Sequence, residues 1–216
     1  MRRVIVESNF LLELAFRQEQ AIYCEKLLQA AEQRHIRLMA PVYGLSEVFN
    51  KLRTSKQGRN QTLAAIQEEI KQHQREADAD ADDMETLERL LRGLLLARTT
   101  NQTARFFAVM ERFSRFATTI PITPEIVKAG QQIFLGNKLS LHDSMVLASV
   151  QQTLAEEPEK EESLFISRDE KAFNEPENQI NKEQETTRKR EILSVVKHYN
   201  CEYLSSFQAA VGRLRL

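Results

Sequence analysis

The apolar positions near the start of the chain change period. Val4, Ile5 and Val6 are consecutive and β-branched, the mark of a short strand buried on both faces, as inside a parallel sheet. From Asn9 the spacing becomes helical. Leu11, Leu14 and Ala15 form one stripe, and Cys24, Leu27, Leu28 and Ala31 form another at i, i+3, i+4 and i+7, with the polar stretch Arg17 to Gln20 as a break between them. Ile36 to Ala40, ending at Pro41, predicts a second strand. Ser8 or Asn9 is placed to cap the first helix. Glu7 then stands at the carboxyl end of a central strand, where open α/β sheets bind their ligands.

The alternation continues. Leu45, Val48, Phe49 and Leu52 repeat at helical spacing, with Glu47 beside the apolar stripe. Residues 60 to 98 turn polar, acidic and poor in β-branched residues, with Leu87, Leu90, Leu91, Leu94 and Leu95 at helical spacing. The acids Asp78, Asp80, Asp82 and Asp83 read as a solvated link, so this region predicts an inserted helical hairpin. Residues 101 to 115 continue as helix. Phe116 to Pro121 reads as a third strand. Thr123 caps a helix with Pro124 in its first turn, closed by Gly136. Ser140 opens another helix. Glu156 to Glu162 is a charged loop, Leu164 to Ile166 a fourth strand, and 174 to 191 a polar, mobile stretch. His198 to Leu204 reads as a last strand, and Ser205 with Gln208 as a capping box for the final helix. Strands alternating with helices predict an α/β fold with a mostly parallel sheet covered on both sides. The expected organisation is one domain over 1–216 carrying a helical insertion at about 55–98.

Composition narrows the function. Apolar residues make up 42% and charged residues 28%, which is a globular balance. The formal net charge is −1, so any nucleic-acid binding must use a local patch. Two cysteines, Cys24 and Cys201, are no disulfide framework and suit a reducing compartment as small buried hydrophobes. No signal peptide and no membrane span are expected, which points to the cytoplasm. Neither the G-x-G-x-x-G nor the G-x-x-x-x-G-K-[ST] nucleotide motif is present.

The candidate chemistry lies in acids at element ends: Glu7 and Asp169 after strands, Glu47 in the early turns of a helix, and Asp143 in the first turn of another. Four carboxylates brought to one sheet edge repel one another, by about 4 kcal/mol per pair at roughly 4 Å and an effective dielectric near 20. A divalent cation relieves this, and all-oxygen ligands favour Mg2+ or Mn2+. The alternatives are structural: Ser140 with Asp143 has capping-box spacing, as has Ser167 with Glu170, and Glu47 could be an ordinary flank residue. His142 adjoins Asp143, either as a helix-start surface residue or as an aid to substrate binding. The run Lys51, Arg53, Lys56 and Arg59 holds four cations and no acid between residues 51 and 59. It is either a solvated face or a set of phosphate contacts.

The order of these segments resembles the PIN domain. The stretches that carry the resemblance are a strand ending in Glu-Ser-Asn followed by Leu-Leu-Glu-Leu, then Ala-Pro-Val-Tyr-Gly-Leu-Ser-Glu-Val, Ile-Pro-Ile-Thr-Pro-Glu-Ile, Leu-Ser-Leu-His-Asp-Ser-Met-Val-Leu-Ala-Ser and Leu-Phe-Ile-Ser-Arg-Asp-Glu-Lys-Ala-Phe. They cover roughly residues 3 to 54 and 116 to 212. The resemblance implies a three-layer α/β/α fold and metal-dependent cleavage of single-stranded RNA by a family that includes the toxins of toxin–antitoxin pairs. The family's acids fall on Glu7, Glu47, Asp143 and Asp169, with Glu7, Asp143 and Asp169 as ligands of Mg2+ or Mn2+. Its site-orienting polar residues fall on Ser8 and Asn9. Lys51, Arg53, Lys56, Arg59 and Arg168 are the expected RNA contacts. Glu7 departs from the family's aspartate, and the hairpin exceeds its compact members. Both motivate an alternative, a module that binds RNA or a protein partner without cutting. The implied partners are RNA, an antitoxin, and a second copy of the chain through the Leu87–Leu95 stripe.

Overall fold

The structure, a computed structural model, describes residues 1–73, 75, 81–137, 139–156, 162–168, 196 and 198–216. Elements follow in the order β1 (Arg2–Val6), α1 (Ser8–Phe16), α2 (Ala21–Glu32), β2 (Ile36–Pro41), α3 (Val42–His73), α4 (Ala81–Phe116), β3 (Thr118–Ile120), α5 (Pro124–Asn137), α6 (Leu141–Glu156), β4 (Ser163–Ile166), β5 (Cys201–Leu204) and α7 (Phe207–Leu214). The five strands form one parallel sheet in the order β3-β2-β1-β4-β5, so the Val-Ile-Val run is central as its composition predicts.

Because side chains alternate along β1, its residues feed two cores. Val4 and Val6 pack with Phe10, Leu27, Phe106 and Phe113 on the layer of α1, α2, α4 and α7. Ile5 packs with Ile126, Val146 and Val150 on the layer of α5 and α6. The result is a three-layer α/β/α fold. Each fully buried Val or Ile here contributes roughly 1.5–3 kcal/mol by leaving water. The opposite layer is drawn tight at Gly130, where a Cβ would lie 2.5 Å from the sulfur of Met145.

The predicted hairpin exists but is longer than its insertion boundaries. α3 starts directly where β2 ends, and α4 runs to Phe116, where it joins β3. Leu91 and Leu95 turn half-inward along the α3–α4 seam, while Leu87, Leu90 and Leu94 stay exposed. Arg59 Nε donates to Thr99 Oγ1 at 2.7 Å, and Gln67 Nε2 to Glu88 Oε1 at 2.7 Å, across that seam. At its base, Arg112 of α4 holds Glu25 and Glu32 of α2 at 2.7 and 2.8 Å.

Several boundary expectations need correction. Asp82 and Asp83 belong to α4 rather than to a link; Asp78 and Asp80 lie outside the described residues, as do 157–161 and 174–191. α5 continues through Gly136 to Asn137, and no glycine has positive φ. β5 begins at Cys201 because Asn200 adopts φ 55°, the left-handed turn that asparagine tolerates and a strand does not. α7 is capped by Ser206, whose Oγ accepts from the Ala209 amide, one residue later than expected. Its other free amides are met from a distance: Gln20 Oε1 accepts from Phe207 N at 2.6 Å and from Gln208 N at 3.3 Å. Both cysteines are buried and free, and burial pushes the Cys201 thiol up to about 12. Among the described residues no helix is long and apolar enough to cross a membrane.

Candidate functional site

The carboxyl edge of a parallel sheet collects whatever follows each strand, and here β1, β2 and β4 place three elements side by side. Glu7 leaves β1 as the N-cap of α1 and is 4% exposed. Neither Ser8 nor Asn9 caps that helix as expected. Both turn to carboxylates instead. Asn9 Nδ2 donates to Glu7 Oε1 at 2.6 Å, and Ser167 Oγ, just after β4, donates to the same oxygen at 2.6 Å. Ser8 Oγ donates to Glu47 Oε2 at 2.5 Å. α3 packs close here: a Cβ at residue 44 would lie 3.4 Å from the Ser8 amide nitrogen, in van der Waals contact.

From Glu47 the contacts continue to α6. His142 Nε2 lies 3.4 Å from Glu47 Oε2, and its Nδ1 lies 3.6 Å from Asp143 Oδ1. The imidazole also packs on Tyr43, ring centroids 5.1 Å apart. Asp143 forms the capping box with Ser140 that its spacing predicts: Ser140 Oγ donates to Oδ2 at 2.6 Å and accepts from the Asp143 amide at 3.1 Å. The cap and the site role are therefore compatible, since the second oxygen faces His142. The neighbouring Asp143 carboxylate raises the His142 pKa against the opposing effect of burial, with Glu47 and then Glu7 adding to the rise. Asp143 is pulled below the usual carboxylate range: burial works against this, and the nearby His142 and the Ser140 bonds outweigh it.

Three of the four expected acids, Glu7, Glu47 and Asp143, thus lie along one edge: His142 stands between Glu47 and Asp143, and Ser8, next in the chain to Glu7, bonds Glu47. Asp169 lies outside the described residues. The donors are hard oxygens, the type that suits Mg2+ or Mn2+. Among the described residues no three His, Cys, Asp or Glu side chains form a group able to hold an ion. Each of the three acids is instead engaged by a neighbouring hydroxyl, amide or imidazole.

The expected cations separate. Lys51 is one turn beyond Glu47 on the same face of α3 and is exposed. Arg53 and Lys56 share a different face, at i+4 and i+7 from the exposed Phe49. Arg59 turns into the seam toward Thr99. Arg168 is taken up by Glu13, whose carboxylate is 1% exposed, and lies 3.5 Å from Glu19.

Sequence reading missed two members of this edge. Ser167 is bonded to Glu7 across 160 residues, whereas its local signals, a place after β4 and capping-box spacing to Glu170, pointed to a helix cap. Glu13 sits between Leu12 and Leu14 and looks like an ordinary polar flank.

Among known proteins, residues 4–173 match the family model of a PIN domain. No curated protein and no solved structure matches the chain.

Proposed function

The chain belongs to the PIN domain family, and from that premise we propose that it is a divalent-metal-dependent endoribonuclease acting on single-stranded RNA. The observation that carries the proposal is the run of carboxylates along one sheet edge, with Glu47 and Asp143 on either side of His142 and Glu7 next in the chain to Ser8, which bonds Glu47. Glu7, Asp143 and Asp169 would hold Mg2+ or Mn2+, and Glu47 would complete the site. A bound ion would activate water and neutralise charge on the phosphate. The chain's own residues do the positioning. Asn9 and Ser167 fix the Glu7 carboxylate, Ser8 fixes Glu47, and Ser140 fixes Asp143. Lys51, beside Glu47, would offset the phosphate charge, with Arg53 and Lys56 further round the helix. In the toxin–antitoxin setting, the exposed leucines 87, 90 and 94 would be the face that an antitoxin or a second copy covers.

The departure at Glu7 gains a physical account under this reading. The extra methylene carries Oε1 to Asn9 and Ser167, both at 2.6 Å. Glu7→Asp withdraws the carboxylate by about one bond length, and a misplacement of about 1 Å costs about a hundredfold in rate. The family's usual aspartate is therefore expected to lower kcat/KM here by about that factor, and a rise would refute the account.

A second reading, a module that binds without cutting, is motivated by Glu7 in place of the family's aspartate and by the long α3–α4 hairpin. One experiment separates the two. An unstructured RNA and the DNA of the same sequence are incubated with the protein in Mn2+ or in chelator. Cleavage of the RNA in Mn2+ alone supports the nuclease. An RNA that is shifted in a gel and stays intact in Mn2+ supports the binding module.

A further inference from the structure

Some arginines on and around the hairpin are matched to acids: Arg112 to Glu25 and Glu32, Arg115 to Glu111, Arg168 to Glu13. Others are not. Arg17, Arg59, Arg98 and Arg105 have no carboxylate partner among the described residues, and they come in two pairs of like charge. Burial, and then Arg98, depress the Arg59 guanidinium; burial, and then Arg17, depress that of Arg105. A merely solvated face would let such side chains swing apart. Two of these are anchored instead. Arg59 gives its Nε to Thr99 Oγ1 at 2.7 Å, and Arg105 gives its Nε to the Ala15 carbonyl at 3.0 Å. In both, the terminal amino groups stay available as a fork, the geometry that takes a phosphate oxygen pair.

Their arrangement follows α4. Arg98 and Arg105 are seven residues apart on one face of α4, about 10 Å along the axis. Arg59 joins from α3 across the seam, and Arg17 joins from the end of α1. Two of the three supporting helices are rooted at the carboxylate edge, since α1 starts after Glu7 and α3 starts where β2 ends, and α4 packs on both. The chain's net charge of −1 supplies no global attraction for a polyanion, so a local row of cations must.

We infer that Arg17, Arg59, Arg98 and Arg105 form a phosphate-binding track along the hairpin that guides single-stranded RNA to the carboxylate edge. The inference deepens the ribonuclease reading and takes its substrate class from it. Only Arg59 lay in the basic run visible in the sequence; the fold adds the other three.

The test uses the full chain carrying Arg17→Gln and Arg98→Gln, which leaves the Arg59 and Arg105 anchors intact, with Lys128→Gln as a remote control. Binding of an unstructured RNA is measured in chelator across a salt series. Cleavage of a short oligonucleotide that occupies only the carboxylate edge is measured in Mn2+. The double variant is expected to bind about tenfold more weakly and to flatten the slope of log K against log salt by about 1.4, from roughly 0.7 per phosphate contact. Its thermal midpoint is expected to stay level or rise, because repulsion is relieved. The control keeps wild-type affinity and slope. Unchanged affinity and slope in the double variant, with the short substrate still cut, overturn the track and leave the nuclease. A flattened slope with no cleavage by the wild type keeps the track and removes the nuclease. An acidic peptide that binds in place of RNA, with the same dependence on the arginines, overturns the RNA assignment.

Discussion

Asp143→Asn is expected to lower Mn2+-dependent cleavage about a thousandfold, on the order of 4 kcal/mol of transition-state stabilisation. The substitution keeps the shape of the side chain, and the asparagine carbonyl can still accept the Ser140 hydroxyl at the helix start. It removes the one formal charge that α6 brings to the edge, which a metal donor cannot lose. It also takes away the oxygen that holds His142 from the Asp143 side. The fold should persist, so a thermal midpoint close to wild type must accompany the loss. Near-normal cleavage by a folded variant would show that Asp143 serves only the cap.

The largest effect on stability is expected at Arg168. Glu13 is 1% exposed, accepts the Gln20 amide at 2.8 Å through Oε2, and faces Arg168 through Oε1. Arg168→Ala leaves that carboxylate buried without its counter-charge. Breaking a buried pair in this way costs about 3 kcal/mol. For a chain of this size the thermal midpoint should fall by about 6–12 °C. Adding Glu13→Gln removes the stranded charge and should recover much of the loss, since the neutral amide can still accept from Gln20. A midpoint shift under about 2 °C for the single variant would contradict the assignment. The pair also bears on function, because Arg168 adjoins Ser167, whose hydroxyl fixes Glu7.

What the sequence made legible follows from local physics. The Val-Ile-Val run predicts a central strand, the shift to helical spacing after it predicts α1 and α2 with their break, and Ser140 with Asp143 predicts the cap that forms. Glu7 at the end of β1 was legible for the same reason: a buried strand followed at once by an acid has few structural uses for it. What escaped is long-range. Gln20 caps α7 across 187 residues, and Ser206 rather than Ser205 shares the task, because the entry of the chain from β5 sets the start of the helix. Ser8 and Asn9 have the residue types of a cap, yet nearby carboxylates from β1 and α3 compete successfully for their donors. The basic run after Glu47 splits by helical rotation, so adjacency in sequence did not mean a shared face. The arginine row gathers residues from α1, α3 and α4, and no sequence window contains it.

The measurement that bears most directly on the account is calorimetric titration of Mn2+ into the wild-type chain and into Asp143→Asn. Saturable binding by the wild type that disappears in the variant is the predicted result. No binding by the wild type, or equal binding by both proteins, would contradict the claim that the carboxylates of this edge share a cation.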